Sequence, residues 1–236
     1  MKIAICNELF QGWPIERVFE CAAPSGHDGV EIAPYTLADS VTEICLARRR
    51  AIRRAVENTG IEIVGLHWLL VKPEGLYINH PDDIVRIRTQ EHMEALIHFC
   101  ADIGGKLLIH GSPHQRTVQY EWDFKGSYER AQETFKTCLE TARKRNVFYC
   151  IEPLSRMSTN FIINTVEEGI HLAKEIRHPN FKIMLDCHHA LAQEKSVAEA
   201  LICALDSRML CHVHVNDANG RGQDSERRSL CPYCED

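Results

Sequence analysis

Short apolar runs alternate with longer amphipathic stretches seven times along this chain. The apolar runs lie near residues 2–7, 29–33, 61–68, 106–111, 147–153, 181–187 and 210–215, each of strand length. Between them the spacing predicts helices near 14–23, 41–59, 81–103, 127–145, 165–176 and 196–206. In the third helix Ile84, Ile87, Ala95, Leu96, Phe99 and Ile103 recur on one face of a 3.6-residue repeat. In the fourth, Tyr128, Ala131, Phe135, Cys138, Leu139 and Ala142 do the same. Gly60, Gly104, Gly105 and Asn146 follow helical stretches, where a left-handed residue commonly closes a helix.

Strict strand–helix alternation implies parallel strands joined by right-handed crossovers. With no linker or low-complexity stretch, it also implies one domain. Both a closed (β/α)8 barrel and an open doubly wound sheet satisfy the alternation. No Gly-x-Gly-x-x-Gly turn follows the first strand, which weighs against a dinucleotide-binding sheet. Polar groups close many of the runs rather than clustering at one crevice, and this favours the barrel. Seven strands are readable where a barrel wants eight, so the expected fold is a (β/α)8 barrel incomplete at its C-terminal end.

Composition narrows the function classes. A chain of 236 residues that is 44% hydrophobic can bury a substantial core. It holds no apolar run of transmembrane length, and Met1-Lys2-Ile3-Ala4-Ile5-Cys6 turns polar too soon for a signal peptide. The 11 cysteines are scattered mostly singly, which suits reduced thiols in a cytoplasmic protein better than a disulfide framework. A net charge of −6 offers no general field for nucleic acid or an anionic membrane, so neither is expected as a partner. The basic cluster Arg48, Arg49, Arg50, Arg53 and Arg54 lies mid-helix and reads as a solvated face. Cys231-Pro232-Tyr233-Cys234 has zinc-knuckle spacing but no second pair nearby.

The chemistry lies at the strand ends. Glu152 closes Tyr149-Cys150-Ile151, Asp186 closes Ile183-Met184-Leu185, and His212 and His214 alternate in the last run. In a parallel barrel such ends converge on one mouth. Asp186 and His189 are three residues apart, just past a strand. Carboxylate and imidazole together suit Mn, Co, Mg or Zn better than a thiolate site would. Alternation turns both His212 and His214 inward, with His214 nearer the mouth and His212 a layer deeper. Glu31, His67 and His110 end the second, third and fourth runs and are candidates for substrate contact or for pairing with one another. Arg116, Arg156 and Arg221 follow strands and are candidates for holding a phosphate or carboxylate.

The stretches Gly29-Val30-Glu31-Ile32-Ala33-Pro34, His67-Trp68-Leu69-Leu70, His110-Gly111-Ser112-Pro113, Ile151-Glu152-Pro153-Leu154 and His212-Val213-His214-Val215-Asn216-Asp217 resemble the sugar phosphate isomerase/epimerase family. Those proteins are xylose isomerase-like TIM barrels related to the ketose 3-epimerases. The resemblance runs over residues 1–222. It implies a single divalent metal, Mn, Co or Mg rather than Zn, on Glu152, Asp186 and His214, with His189 as a substrate contact and Glu152 as one of two catalytic acid–base glutamates. It implies a sugar or sugar phosphate substrate, an enediolate intermediate, and a second glutamate from an eighth strand. Homo-oligomers are compatible with it. The same barrel serves zinc-dependent AP endonucleases, whose motifs resemble His67, His110, Glu152, Asp186, His189 and His214 through Asp217, though their later Asp-x-His is absent here. A sugar-binding pseudoenzyme is the third reading.

Residues 223–236 depart from the family, which commonly continues Pro-Gly-Phe-Gly after Asn219-Gly220-Arg221-Gly222. Back-translated with permitted codons and shifted by one base, this tail reads Pro-Gly-Phe-Gly-Ala-Thr-Lys-Phe-Val-Pro-Leu-Leu-Arg-Arg. It is therefore expected to be a frameshifted end, costing the chain its eighth strand and second glutamate.

Overall fold

The computed structural model describes residues 1–156 and 163–216, with every side chain among them except that of Glu121. Asp217, Arg221 and the tail from 223 lie outside the described residues. Seven parallel strands form one sheet in sequential order: β1 (Ala4–Cys6), β2 (Gly29–Ile32), β3 (Glu62–Leu66), β4 (Leu107–His110), β5 (Phe148–Ile151), β6 (Phe181–Asp186) and β7 (Leu210–His214). The sheet curls, so that Glu31 of β2 touches His214 of β7 although the two strands are not neighbours. Strands β2 and β4 are buried throughout and β3, β5 and β6 for the most part, whereas β1 and β7, the sheet edges among the described residues, hold no buried residue.

The helices are α1 (Ile15–Ala22), α2 (Leu46–Thr59), α3 (Asp83–Ile103), α4 (Phe124–Arg145), α5 (Val166–Ile176), α6 (Cys187–Gln193) and α7 (Val197–Asp206). Gly60, Gly104 and Asn146 close α2, α3 and α4 in left-handed geometry, as expected from their places in the sequence. The 41–59 stretch breaks into a 3-10 turn (Val41–Glu43) and α2, because Ile44 and Cys45 are extended. In α3, Ile84 and Ile87 are exposed. The buried face instead runs through Thr89, His92, Met93, Leu96, Phe99, Cys100 and Ile103. Arg49 also departs from expectation. Its guanidinium is mostly buried and pairs with Asp102 at 2.9 Å, while Arg48, Arg50, Arg53 and Arg54 stay exposed.

Two apolar layers follow from strand alternation. The large core packs outward-facing residues such as Leu108, Tyr149, Ile151, Ile183 and Leu185 against the helices. A small inner cluster of Leu107, Ile109, Cys150 and Met184, with Val64, Phe148 and Cys211 against it, fills the inside of the curl. Glu152 and Asp186 continue the inward series of β5 and β6. In β7 the pairing passes from Ile183↔Leu210 to Met184↔His212, leaving Cys211 as the extra residue of a bulge. That bulge sets His212 and His214 beside Met184 and Asp186, on the inner face; bulges commonly re-aim side chains in this way.

Candidate active site

Glu31, Glu152 and Asp186 are the only buried carboxylates among the described residues, and all three stand at strand ends on the inner face. Burying a charge is costly unless it is paired, so their partners define the site. His214 lies between two of them. Its Nε2 is 2.8 Å from Glu31 Oε2, and its Nδ1 is 3.6 Å from Asp186 Oδ2. A carboxylate only accepts, so Nε2 carries a proton toward Glu31, and a cation beside Asp186 would take the place of the proton on Nδ1. A gap of 3.6 Å is long for a hydrogen bond but suits two ligands of one cation. Glu31 therefore orients the imidazole from behind, the role that carboxylates commonly play for metal-binding histidines.

Asp186 has two tasks. It caps α6, its Oδ1 accepting from the backbone N–H of His188 at 2.7 Å and of His189 at 3.1 Å. Asn216 Nδ2 donates to both its oxygens. Burial would raise its pKa, but His214, the His189 backbone and Asn216 outweigh that and hold it at about 2. Glu152 goes the other way. Burial dominates, Asp186 adds to it, and His214 only partly compensates, leaving its pKa at about 7. For His214, burial opposes the charged ring, but Glu31 and Asp186 prevail and raise its pKa to about 11. The cluster thus draws a proton to its centre in answer to its own negative charge.

His189 faces the same carboxylates. The Ser155 backbone N–H donates to His189 Nδ1 at 3.3 Å, which puts the ring proton on Nε2, 3.8 Å from Glu152 Oε1. In that tautomer His189 presents a donor to the site rather than a lone pair. The donor atoms of Glu152, Asp186 and His189 all lie within 4.8 Å of one another. Gly111 makes room for this arrangement, since a Cβ there would stand 2.3 Å from Glu152 Oε2. Trp68 and Ser112, immediately after His67 and Gly111, hold left-handed φ angles of 52° and 31°. Such strain commonly gathers at functional sites.

These residues fit a divalent cation. Buried Glu152 and Asp186 come together with His189, His214 Nδ1 faces Asp186, and oxygen and imidazole donors suit Mn, Co, Mg or Zn. A cavity of about 490 Å³ lies elsewhere, lined by Arg49, Arg50, Arg53, Asp102, Lys144 and Arg145 on the helical face.

Other expected site residues take different places. His110 points outward: it pairs in register with the outward-facing Ile151, its Nδ1 lies 2.5 Å from Tyr149 Oη, and its ring packs edge-on to Phe135. It belongs to the sheet–helix layer, not to the mouth. Arg116 is fully buried and its Nη1 donates to the carbonyls of Glu152 (2.6 Å), His110 (3.3 Å) and Gly111 (3.3 Å). It braces the ends of β4 and β5 rather than an incoming anion. Arg156 is exposed on the rim, its backbone N–H on Gln193 Oε1. His212 Nε2 lies 3.2 Å from Glu31 Oε1, one layer below His214. His67 is buried, with Nδ1 3.5 Å from Glu31 Oε2. Asn216, beside Asp186, carried no signal of its own in the sequence.

Residues 19–233 match the xylose isomerase-like TIM barrel family. The chain belongs to that family. A probable ketose 3-epimerase of Synechocystis sp. is 29% identical over 213 residues, which are 89% of this chain and 70% of that protein. A D-psicose 3-epimerase of Ruminiclostridium cellulolyticum is 35% identical over 105 residues, 43% of this chain and 35% of its own length. Among solved structures, a D-psicose 3-epimerase crystallised in the presence of D-fructose superposes with a TM-score of 0.79 at 22% identity, covering 92% of this chain and 73% of that one. At that identity the likeness is one of fold, and it agrees with the curled parallel sheet. No helix among the described residues is long and apolar enough to cross a membrane.

Proposed function

We propose that this chain is a metal-dependent sugar epimerase acting at the carbon next to a ketone, as the names of its family relatives suggest. The observation that carries the reading is Glu152: a buried carboxylate with a pKa near 7, beside Asp186, His214 and His189 at one barrel mouth. Glu152, Asp186 and His214 Nδ1 hold the ion. A divalent cation there supplies Lewis-acid polarisation of the ketone oxygen and offsets the carboxylate charge.

The side chains do the rest. Glu152 takes the proton from the carbon beside the carbonyl, which leaves an enediolate. His189 Nε2–H donates to a substrate oxygen and fixes the sugar against Glu152. Glu31 keeps His214 in the tautomer that frees Nδ1. The buried surroundings of Glu152 keep its carboxyl dehydrated, which raises its basicity. Arg156 on the rim is the candidate for a substrate phosphate, if the natural sugar carries one. Return of a proton on the opposite face needs a second acid. Glu31, the remaining buried carboxylate among the described residues, is occupied by His212 and His214.

The test is incubation of the chain with D-fructose, D-psicose, D-tagatose and L-ribulose in Mn2+, Co2+ or Mg2+, with the C3 epimers separated by chromatography. Metal-dependent conversion that Glu152→Gln abolishes supports the proposal. A folded, metal-loaded protein that epimerises none of the four overturns it.

A further inference from the structure

We propose that Cys6, Glu31 and His67 form a second cation site, separate from the Glu152–Asp186–His214 set and built for a borderline divalent ion such as Zn2+. The three residues close consecutive strands: Cys6 ends β1, Glu31 lies opposite it in register on β2, and His67 follows β3. Their side chains meet where β1, β2 and β3 end, and the donor atoms lie within 4.8 Å of one another.

The two sulfur contacts suit either a weakly hydrogen-bonded trio or a cation site, and the imidazole–carboxylate gap favours the cation site. Cys6 Sγ lies 3.5 Å from Glu31 Oε2 and 3.8 Å from His67 Nδ1, and Nδ1 lies 3.5 Å from the same Oε2. A charge-assisted imidazole–carboxylate hydrogen bond closes to about 2.7–2.9 Å, so the 3.5 Å gap is not one. Tetrahedral zinc, with Zn–S of about 2.3 Å and Zn–N and Zn–O of about 2.0–2.1 Å, holds its ligand atoms roughly 3.4–3.6 Å apart. The observed triangle agrees with that to within about 0.2 Å, the usual tolerance for a metal site.

Chemistry and placement agree with the spacing. Thiolate, imidazole and carboxylate together select a borderline ion over Mg2+ or Ca2+. Glu31 and His67 are 2% and 5% exposed, while Cys6 is only half buried, so the cluster is dry on one side and open on the other. Three protein ligands leave a fourth position for water. Glu31 Oε2 also accepts from His214, and an oxygen with two lone pairs can serve both. His67 Nε2 is buried without a hydrogen-bond partner among the described residues in either tautomer, so it does not choose between them. Bound there, an ion ties β1 to β2 and β3 at the edge of the sheet.

Co2+ is the probe, because sulfur-to-cobalt charge transfer reports a thiolate ligand directly. The full-length chain carrying Cys231→Ser and Cys234→Ser, which removes the tail's own thiol pair, is titrated with Co2+ after chelator treatment under reductant. The expected result is a near-ultraviolet charge-transfer band that Zn2+ displaces, that Cys6→Ser abolishes, and that Glu152→Gln leaves in place. His67→Gln should weaken cobalt affinity at least tenfold while the band persists at saturation, and it stands in for Cys6→Ser should the latter fail to fold. Absence of the band in the parent, or its survival at full intensity in Cys6→Ser, overturns the site. Unchanged affinity in His67→Gln does so too. The Glu152→Gln arm keeps the outcome independent of the epimerase reading.

Discussion

Gly111→Ala separates the positioning of Glu152 from the stability of the barrel. The new Cβ would stand 2.3 Å from Glu152 Oε2, where an ordinary contact needs about 3.5 Å. The atom in the way is the far end of a flexible side chain, so the carboxylate yields and the backbone stays. It must retreat by roughly 1 Å, a displacement that can cost about 10²-fold in turnover when it moves a reacting group. That loss corresponds to about 2.7 kcal/mol of transition-state stabilisation. Folding should respond differently. Residue 111 does not adopt a left-handed φ, and replacing glycine at a compatible site stabilises by about 0.4–1 kcal/mol through the unfolded chain. The expected variant therefore melts at or slightly above the parent's temperature yet loses about two orders of magnitude in kcat/KM for ketose epimerisation. Steady-state kinetics beside a thermal melt decides it. Turnover within about threefold of the parent would refute the steric reasoning, since such a change is under 1 kcal/mol. A large drop in melting temperature would show that the backbone, not the carboxylate, had absorbed the clash.

Arg116→Leu should destabilise the fold by roughly 3–5 kcal/mol in urea titrations, because it leaves the buried carbonyls of Glu152, His110 and Gly111 without their common donor. Arg116→Lys should recover little of this, as one ammonium cannot reproduce the planar fork. Arg177→Gly should do the opposite. Arg177 is exposed and closes α5 at φ 53°, a conformation that costs a non-glycine residue about 1 kcal/mol, so the variant should melt a few degrees higher. A lower melting temperature would mean that the arginine side chain holds the cap by contacts worth more than the strain.

What the sequence reveals here depends on how local the determining interactions are. Glu152, Asp186 and His214 were legible because each ends a strand-length apolar run and parallel strands share one mouth. For β7 the His-Val-His alternation puts both rings on one face, and the bulge at Cys211 makes that face the inner one. His110 misled for the matching reason. In Lys106-Leu107-Leu108-Ile109-His110 every residue between the ends is apolar, so nothing in the run distinguishes the inner face from the outer. Only the pairing of His110 with Ile151 shows that it looks toward the helices. Pairing also decides Glu31, whose partner His214 is 183 residues away. No local pattern signals that this carboxylate braces a histidine on a distant strand.

Asp186 shows how a local signal can be right about the residue and incomplete about its work. The stretch Asp186-Cys187-His188-His189 reads as strand end and site, and it is also the start of α6, which the periodicity did not reveal in so short a helix. One oxygen caps that helix and thereby sets the path that carries His189 toward Glu152; the other faces His214. An asparagine at 186 could keep the cap, since its side-chain oxygen accepts equally well there, but it would remove one of the buried charges that call for a cation. The two roles are thus separable by chemistry although they sit on one side chain. Cap and charge together suit a strand-end aspartate to this position better than either a glutamate, too long to cap, or an asparagine, too neutral for the proposed ion.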